Sequence, residues 1–387
     1  MTELEAILGE RIRRQGPLPF REVMRAALYH PRHGYYTNLR GFGKDGDFVT
    51  SPERHPAFGF LLGRQAVDVW EALDRPRPFR ILELGAGSGA LAESLVAFVR
   101  AHITPVQTDA DERTLVYTID EASRSLRSVQ QARLSDPAFQ WQGVDQPAHF
   151  IIANEVADAL PADRVVVRRG QLRELRVGLD ERGTLAWVEE EDAAGPAIQA
   201  YFAALGYLPP EGHTVDVCTG LVDWVKGVAR RLERGVALVM DYAASPPRDS
   251  LSTYYRHTIG SDPLVRLGRQ DISIHVDLRT LMRCAVAEGL LAGVTTQRRL
   301  LLNLGFQQVV AGLRGPTDRQ ALAGLVEASG LGGQISAALL VRGLPGYTPV
   351  GTMGRADWPD LQDIPSLPPD EDEAEFISQW HEAFGGG

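Results

Sequence analysis

Three evenly spaced glycines follow a short apolar segment near residue 80. The apolar residues 79–84 include a single acid, Glu83, and lead directly into Gly85, Gly87 and Gly89. Glycine lets the backbone approach a ligand closely and adopt conformations that a Cβ would forbid. Such a turn lies at the carboxyl edge of an α/β sheet, where these folds bind nucleotides, so the pattern predicts a nucleoside site. A plain structural turn is the alternative.

The glycine spacing distinguishes between kinds of nucleoside. A dinucleotide site spaces its glycines G-x-G-x-x-G, because a pyrophosphate lies on the N-terminus of the following helix. Here the spacing is G-x-G-x-G with an acid two residues earlier, which resembles the E-x-G-x-G-x-G motif of S-adenosylmethionine-dependent methyltransferases. The cofactor of those enzymes carries a sulfonium, an ammonium and no phosphate. Glu83 is therefore a candidate cofactor-binding residue, together with the three glycines.

Two acids follow the second apolar segment, residues 115–119. Asp120 and Glu121 stand where the ribose hydroxyls of such a cofactor would be accepted, and both are candidate cofactor-binding residues. The gap from the glycines to these acids is about 35 residues, longer than the roughly 20 of a minimal βαβ unit. A solvated strand end is the alternative interpretation.

A third set of polar residues ends the apolar segment 150–153. Asn154, Glu155 and Asp158 follow it closely, and all three are candidate catalytic residues. A carboxylate can bind a guanidinium through two hydrogen bonds, so Glu155 is the candidate for orienting a cationic acceptor group. Asn154 can accept an N–H. Asp158 can support Glu155, or it can cap the helix that follows.

The elements that must position these residues alternate between strands and helices. Continuous apolar segments at 79–84, 115–119, 150–153 and 236–240 are separated by helical segments, which is typical of a parallel sheet covered on both faces. We therefore predict an α/β fold with a doubly wound sheet. Helices are expected at 3–15, 20–29, 57–74, 298–304 and 317–329, and a closing pair of strands at 292–297 and 335–342.

Two segments interrupt this alternation, after the fourth and fifth strands. Residues 164–190 predict two or three antiparallel strands with turns at residues 169–170 and 182–183. Residues 245–300 begin with a proline-rich loop and contain an alternating strand at 272–276. We predict three regions: 1–56 with helices and a glycine-rich loop, 57–345 as one domain carrying both insertions, and 346–387 as an acidic, proline-rich tail.

Composition limits the classes of function. With 40 basic and 50 acidic residues, the net charge of −10 opposes binding to nucleic acid. Cys218 and Cys284 are too few for a disulfide framework, and His30, His33 and His55 lack metal-site spacing, so no metal is expected.

No segment approaches the roughly 18 apolar residues that span a bilayer, and no targeting peptide is evident. We expect a soluble, cytoplasmic protein without membrane insertion.

The ordered set of motifs is similar to the MidA family of methyltransferases, bacterial relatives of a mitochondrial assembly factor for respiratory complex I. The motifs are HPRHGYYT, FGKDGDFVTSPE, ILELGAGSGAL, IIANEVADALP, LVMDYA, SIHVDLRTL, VTTQRRLLLNLGF and GLGGQISAALLVRGLPG, covering about residues 17–346. The resemblance implies a Rossmann-like class I methyltransferase fold and S-adenosyl-L-methionine as methyl donor. For described eukaryotic members it implies arginine methylation in a protein substrate, with a respiratory-complex subunit as one candidate.

The resemblance also carries individual residues over. Gly85, Gly87 and Gly89 fall on the cofactor glycines of the family, and Glu121 falls on its post-strand acid. Asn154, Glu155 and Asp158 fall on its N-E-x-x-D motif. Gly46, Asp47, Phe48, Ser51 and Pro52 match a loop that covers the cofactor, which makes Asp47 a further cofactor-binding candidate.

Two departures from the family pattern concern the acceptor side. The chain has Asp241-Tyr242-Ala243 where the family commonly has Asp-Tyr-Gly, and Val156-Ala157 where it has a bulky pair. The second change reshapes the pocket beside the acceptor and so bears on substrate identity. His275 and Asp277 are two apart on the expected strand and could act together as a general base that removes a proton. A structural hydrogen bond is the alternative.

Other functions remain open. The chain could be an assembly or chaperone-like protein that docks a partner on a methyltransferase fold, using its insertions and acidic tail. It could also methylate a small molecule, since that activity would differ in the acceptor pocket alone. The sequence predicts no oligomeric state.

Overall fold

The computed structural model describes residues 2–38, 49–103, 114–313 and 315–354. Its helices are α1 Glu3–Gln15, α2 Phe20–Tyr29, α3 Ser51–Arg54, α4 Ala57–Ala72, α5 Ala90–Ile103, α6 Arg124–Arg133, α7 Pro196–Leu205, α8 Leu221–Arg231, α9 Leu278–Ala287, α10 Gln297–Asn303, α11 Phe306–Gly312, α12 Pro316–Val326, α13 Leu331–Gln334 and α14 Val350–Met353. Its strands are β1 Leu18–Pro19, β2 Phe79–Leu84, β3 Leu115–Asp120, β4 Phe139–Gln140, β5 Ala148–Asn154, β6 Asp163–Arg168, β7 Gln171–Leu179, β8 Leu185–Glu189, β9 Thr214–Val217, β10 Leu232–Ala244, β11 Ser252–Tyr255, β12 Thr258–Gly260, β13 Asp271–Ser273, β14 Val276–Asp277, β15 Leu291–Thr296 and β16 Ile335–Arg342.

The central sheet has the strand order β15-β16-β10-β5-β2-β3-β4, with β14 beside the end of β10. Strands β4, β3, β2, β5 and β10 are parallel, and β16 runs antiparallel to both β10 and β15. The predicted α/β fold and the closing antiparallel pair are confirmed. The chain winds outward from β2 in one direction and from β5 in the other, so the crevice between these two strands is the point where such folds bind ligands.

Two hydrophobic cores cover the two faces of this sheet. Because successive residues of a strand point to opposite faces, Ile81 and Ile152 enter one core while Leu82 and Ile151 enter the other. Helices α4, α5 and α10 to α12 pack on the first face, and α1, α2, α8 and α9 on the second.

The first insertion supplies three strands of a second, five-stranded sheet. Its order is β1-β7-β6-β9 with β8 beside β7, and α7 packs on it around Val165, Phe202 and Val215. The antiparallel strands predicted within 164–190 are present as β6, β7 and β8. Arg169, Gly170 and Gly183 have φ angles of 53°, 72° and 74°, which place both turns as expected.

The second insertion carries a three-stranded sheet, β12-β11-β13. The single strand predicted at 272–276 is wrong, because the chain changes partners within it. β13 pairs with β11, whereas β14 pairs with the end of β10, and between them the Ile274 N–H donates to the Asp158 carbonyl at 3.0 Å. His275 therefore lies in a break between strands.

The described chain ends on the body of the protein. Helix α14 packs against α4 and α10, and the Gly351 N–H donates to Gln65 Oε1 at 2.9 Å. Residues 355–387, with most of the predicted tail, lie outside the described residues, and the predicted region boundaries stay a prediction. Among the described helices, none combines the length and apolar character needed to cross a membrane.

Candidate active site

A cavity of about 380 Å³ lies at the carboxyl edge of β2, β3 and β5. The end of each strand contributes polar side chains to its wall. The strand-end candidates predicted from the sequence that line it are Glu83, Gly85, Gly87, Asp120, Glu121, Asn154 and Glu155. Gly89 lies at the end of the glycine turn, and Asp158 lines a neighbouring cavity. Asp47 lies outside the described residues.

The glycine turn requires glycine by its backbone geometry. Gly85, Gly87 and Gly89 have φ angles of 62°, 55° and 85°, in the region that a Cβ disfavours. A Cβ on Gly85 would stand 3.1 Å from Val156 Cγ2, tighter than an ordinary contact. The turn leaves β2 and enters α5, so its backbone forms the floor of the cavity.

Glu83 is a buried acid in the cavity wall. It is 2% exposed, and its Oε2 accepts a hydrogen bond from the Tyr117 hydroxyl at 2.8 Å. Burial raises the pKa of Glu83 to about 8, although the bond from Tyr117 opposes this shift. A cation placed against Glu83 would favour its ionised form.

Glu121 is connected to the glycine turn. Its carboxylate accepts from the Ser123 N–H at 2.9 Å and from Gln130 Nε2 at 3.0 Å, and the same Nε2 donates to the Gly87 carbonyl at 2.9 Å. Burial raises the pKa of Glu121. Gln130 therefore fixes the acid and the turn in one arrangement.

Asp120 has a different environment from its neighbour. Its Oδ2 accepts from Arg231 Nη1 at 2.7 Å, and both residues line the cavity. Arg231 belongs to α8, which follows the first insertion, and no pattern near the glycines indicates it. Of the two adjacent acids, Glu121 is the one held by neutral donors.

An uncommon backbone conformation directs the Glu155 side chain into the site. Its φ angle is 53°, which is uncommon for a residue with a side chain, and its N–H donates to the Met240 carbonyl at 2.8 Å. Oε1 accepts from the Ser51 N–H at 3.1 Å and from Asn154 Nδ2 at 3.0 Å. Both bonds meet the same oxygen. Burial raises the pKa of Glu155 to about 7 despite them.

Asn154 carries a buried hydrogen-bond acceptor, its side-chain oxygen Oδ1. Its Oδ1 has no hydrogen-bond partner among the described residues, and Asn154 lines the larger cavity. A buried carbonyl oxygen left unpaired costs free energy, so a ligand that donates a hydrogen bond there would be stabilised.

The loop after β5 is held by Asp241, at the end of the neighbouring strand β10. Asp241 Oδ2 accepts from three consecutive N–H groups, those of Val156, Ala157 and Asp158, at 3.1, 2.8 and 3.2 Å. Burial raises the pKa of Asp241 to about 7. No role was predicted for Asp241, although an acid at the end of a parallel strand is the same signal that identified Asp120.

Asp158 does not cap a helix, and that interpretation is wrong. It lies inside a short 3-10 turn, Ala157–Ala159, and no helix begins there. Its carboxyl faces Ser273, while Asp241 and Asp271 are the nearest like charges. Burial and these neighbours raise the pKa of Asp158 well above its usual range.

A second, smaller cavity of about 70 Å³ adjoins the first. Glu155 and Tyr36 line both cavities. Its walls combine carboxyl groups with aromatic rings: Glu155, Asp158, Asp271, Tyr36, Tyr242 and Tyr254. None of the described residues that line it is a lysine or an arginine. The smaller cavity is therefore suited to a small cationic group.

Tyr36 closes the space between the two cavities. Its hydroxyl donates to Asp271 Oδ1 at 3.1 Å, and its ring stacks on Tyr29 with centroids 5.5 Å apart. Its carbonyl accepts from the Ser123 hydroxyl at 2.7 Å. Tyr36 thus bonds to Asp271 in the second insertion and to Ser123 after β3. It was not predicted as a site residue from the sequence.

His275 and Asp277 do not form the predicted pair for proton removal. His275 Nδ1 lies 3.2 Å from Arg248 Nη2, whereas Asp277 caps α9 and accepts from the Tyr201 hydroxyl at 2.7 Å. The structural interpretation holds for Asp277. Within the described ranges, no three His, Cys, Asp or Glu side chains are grouped to hold a metal ion.

Comparison with known sequences gives consistent matches. A family described as "Putative S-adenosyl-L-methionine-dependent methyltransferase" matches residues 61–295. The chain is 28% identical over 314 residues to the protein arginine methyltransferase NDUFAF7 homolog, mitochondrial, of Drosophila melanogaster, covering 73% of this chain and 70% of that protein. It is 26% identical over 337 residues to protein arginine methyltransferase NDUFAF7, mitochondrial, of Homo sapiens, covering 79% and 74%.

Solved structures with the same fold come from Burkholderia thailandensis. One is a COG1565 superfamily member bound to S-adenosyl-homocysteine, with a TM-score of 0.80 and 27% identity, covering 91% of this chain and 95% of that one. A second crystal structure of a COG1565 superfamily protein gives a TM-score of 0.78 and 26% identity, covering 91% and 94%. S-adenosyl-homocysteine is the product that remains after the methyl group has left.

Proposed function

Because the chain belongs to this family of S-adenosyl-L-methionine-dependent methyltransferases, we propose that it methylates the guanidinium of an arginine in a protein substrate. The observation that carries this proposal is the acid-lined cavity that meets the larger cavity at Glu155. The names of the relatives support the same acceptor. A respiratory-complex subunit is the first candidate substrate, and the cytoplasm the proposed compartment.

The larger cavity suits the cofactor. The glycine turn is shaped for close backbone approach, Glu121 is placed to accept ribose hydroxyls, and Glu83 offers a negative charge to an ammonium or sulfonium. The unpaired Asn154 Oδ1 is a further acceptor. When bound, S-adenosyl-L-methionine supplies a methyl carbon whose bond to sulfur breaks as its bond to the acceptor nitrogen forms.

Glu155 orients the acceptor in this proposal. Arginine keeps its proton above pH 12, so its nitrogens are poor nucleophiles until a carboxylate localises the positive charge. Oε1 of Glu155 is engaged by Ser51 and Asn154, which leaves Oε2 to face the guanidinium. Asp158 faces the same cavity and binds a second N–H of the group. The remaining nitrogen then points between Tyr36 and Glu155 toward the larger cavity.

One proton must leave in each transfer, because the methylated guanidinium is still a monocation. We assign this proton to Asp158, because it lines the smaller cavity and because burial, together with the like charges of Asp241 and Asp271, raises its pKa. Tyr36 keeps the acceptor group aligned and water out of the junction between the two cavities.

Substitution of Glu155 tests this assignment. Glu155→Gln keeps the size of the side chain and its bonds to Ser51, so we expect cofactor binding to be retained and methyl transfer to fall by a factor of 100 or more, on the order of general acid-base effects. Methyl-labelled cofactor and arginine-containing proteins measure transfer, and calorimetry measures binding. Unimpaired turnover by Glu155→Gln would contradict the assignment.

The same labelling experiment separates the other functions. A labelled metabolite in place of a labelled protein would favour a small-molecule acceptor. Tight cofactor binding without any labelled product would favour a protein that acts by docking a partner.

A further inference from the structure

The small cavity is acidic inside, but the exposed surface around it is basic. Residues 245–270 contain four arginines and two aspartates, in a chain whose net charge is −10. The arginines are all exposed: Arg248, Arg256, Arg266 and Arg269. The sign of the charge therefore reverses between the cavity and its surroundings.

Two of these arginines are linked to residues of the cavity wall, one by contact and one by position in the chain. Arg248 Nη2 is 3.2 Å from the ring nitrogen of His275, which lines the cavity. Arg269 stands two residues before Asp271, another wall residue. These two arginines come from separate parts of the second insertion.

The other two arginines share one aromatic ring. The guanidinium carbons of Arg256 and Arg266 lie 5.3 Å and 4.9 Å from the centroid of the Tyr255 ring. Tyr255 follows Tyr254, which lines the cavity. Cation–π contacts of this kind fix the position of the charges at the surface.

The two aspartates of the segment do not cancel this charge. Asp249 pairs with Arg164 of the first insertion at 2.8 Å, and Asp262 Oδ1 accepts from the Leu264 N–H at 2.9 Å. Asp249 is thus paired with an arginine from outside the segment, and the four arginines face one remaining aspartate, so the surface keeps an excess of positive charge.

An exposed apolar side chain stands among these charges. Ile259 is 69% exposed and is paired with Tyr254 across β12 and β11. Directly paired residues of antiparallel strands lie on the same face of the sheet, so Ile259 is on the face that carries the cavity wall. The surface thus offers an apolar contact as well as charge.

We propose that this surface, formed by Arg248, Arg256, Ile259, Arg266 and Arg269, docks the substrate protein, and that the substrate carries acidic residues around its target arginine. The inference rests on the proposed function. Opposite charges steer encounter and suppress wrong partners. An arginine-rich segment would be attracted by the acidic cavity but repelled by the basic surface around it. A single arginine flanked by acids is attracted by both the cavity and the surface.

Peptide substrates test the composition of the partner. One peptide has a single arginine flanked by glutamates, and two others have glutamine or lysine in place of the glutamates. We expect kcat/KM to be about tenfold higher for the glutamate peptide than for the glutamine peptide at low salt, and lowest for the lysine peptide. The advantage should shrink as salt is raised, since the charges are exposed.

Charge reversal tests the surface itself. Arg256→Glu should remove most of the preference for the glutamate peptide, while the affinity for S-adenosyl-L-methionine and the turnover of the glutamine peptide stay unchanged. Arg182→Glu is the matched control, because Arg182 is also an exposed turn arginine but lies in the first insertion. Thermal unfolding of both variants checks that they fold.

The outcomes distinguish this inference from the proposed function. If all arginine peptides are methylated equally well, or if Arg182→Glu acts like Arg256→Glu, the docking surface is overturned and the proposed function stands. If no arginine peptide is methylated, the proposed function fails and the docking surface with it. If an RNA homopolymer competes with the glutamate peptide and Arg256→Glu abolishes that competition, the surface binds nucleic acid and the protein partner is overturned.

Discussion

Glu155 lines both cavities, as Tyr36 does, and its ionisation depends on what fills them. Burial raises its pKa to about 7, so in the free protein a large fraction is protonated below neutral pH. An arginine side chain in the small cavity would stabilise the carboxylate and lower this pKa. Substrate binding and ionisation of Glu155 are therefore coupled.

The pH dependence of the reaction should follow from this coupling. Because the proposed function needs the ionised carboxylate to bind a guanidinium, we expect kcat/KM to rise with pH through about 7. The corresponding rise in kcat should occur at lower pH, since bound substrate lowers the pKa of Glu155. Rates with saturating cofactor and an arginine peptide between pH 5.5 and 9 measure both. A kcat/KM that is flat across this range would show that Glu155 does not need to be ionised.

Glu83 should make the fold less stable as the pH rises. Its folded pKa of about 8 is above the ordinary 4.5, so between these values the folded protein holds a proton that the unfolded chain has released. Stability from this proton is complete at acidic pH and is lost as the pH rises toward 8. We expect Glu83→Gln to reduce the fall in unfolding free energy between pH 6 and 8.5 by on the order of a few kcal/mol.

Urea unfolding at the two pH values measures this effect. Glu10→Gln, on the exposed side of α1, serves as the control for loss of one charge. An unchanged pH dependence in Glu83→Gln would mean that Glu83 is ionised in the folded protein.

At the scale of elements, the sequence was most informative where strands are parallel and buried. The glycine turn and the acids of β3 and β5 were identified because strand ends of a parallel sheet meet at one edge. The break between β13 and β14 was missed, because it follows from pairing with β10 and not from the local pattern. Arg231 was missed for a similar reason, since α8 reaches the cavity only through packing on the sheet.

The loop after β5 depends on a single acceptor, Asp241. Asp241→Ala would leave three N–H groups without their partner, and we expect a loss of about 3 kcal/mol in unfolding free energy together with weaker cofactor binding. Asp241→Asn keeps one acceptor oxygen and should lose much less. Urea unfolding and calorimetry of both variants check this. Equal stability of the alanine variant and the native chain would contradict the role of Asp241.

At the scale of the whole molecule, the family and cofactor predicted from the motifs are confirmed by the family match and the related structures. The smaller cavity was not predictable as a unit. Its wall takes Tyr36 from the N-terminal extension, Glu155 and Asp158 from the loop after β5, and Asp271 from the second insertion. Local sequence patterns do not predict which of these distant segments come into contact, because packing on the sheet determines their proximity.

Cofactor binding should stabilise the whole protein, and the glycine turn should be necessary for this. Cofactor at about 100 times its Kd adds about 2.7 kcal/mol to the unfolding free energy. We expect Gly87→Val to abolish the resulting shift in Tm. Gly170→Val is the matched control, because Gly170 has a similar positive φ of 72° with open space around it and lies away from the cavity.

Thermal unfolding with and without S-adenosyl-L-methionine measures the shift. Both variants should lose about 1–2 kcal/mol from backbone strain, and only Gly170→Val should keep the response to cofactor. A normal response in Gly87→Val would remove the turn from the binding site.

The hydrogen bond from Tyr36 to Asp271 joins residues 235 positions apart. During synthesis on the ribosome, β2 and the glycine turn are complete long before Asp271 is translated. The smaller cavity can form only after the second insertion has emerged and met the N-terminal extension. A chain that ends before Asp271 therefore lacks the smaller cavity, and under the proposed function it has no site for an acceptor arginine.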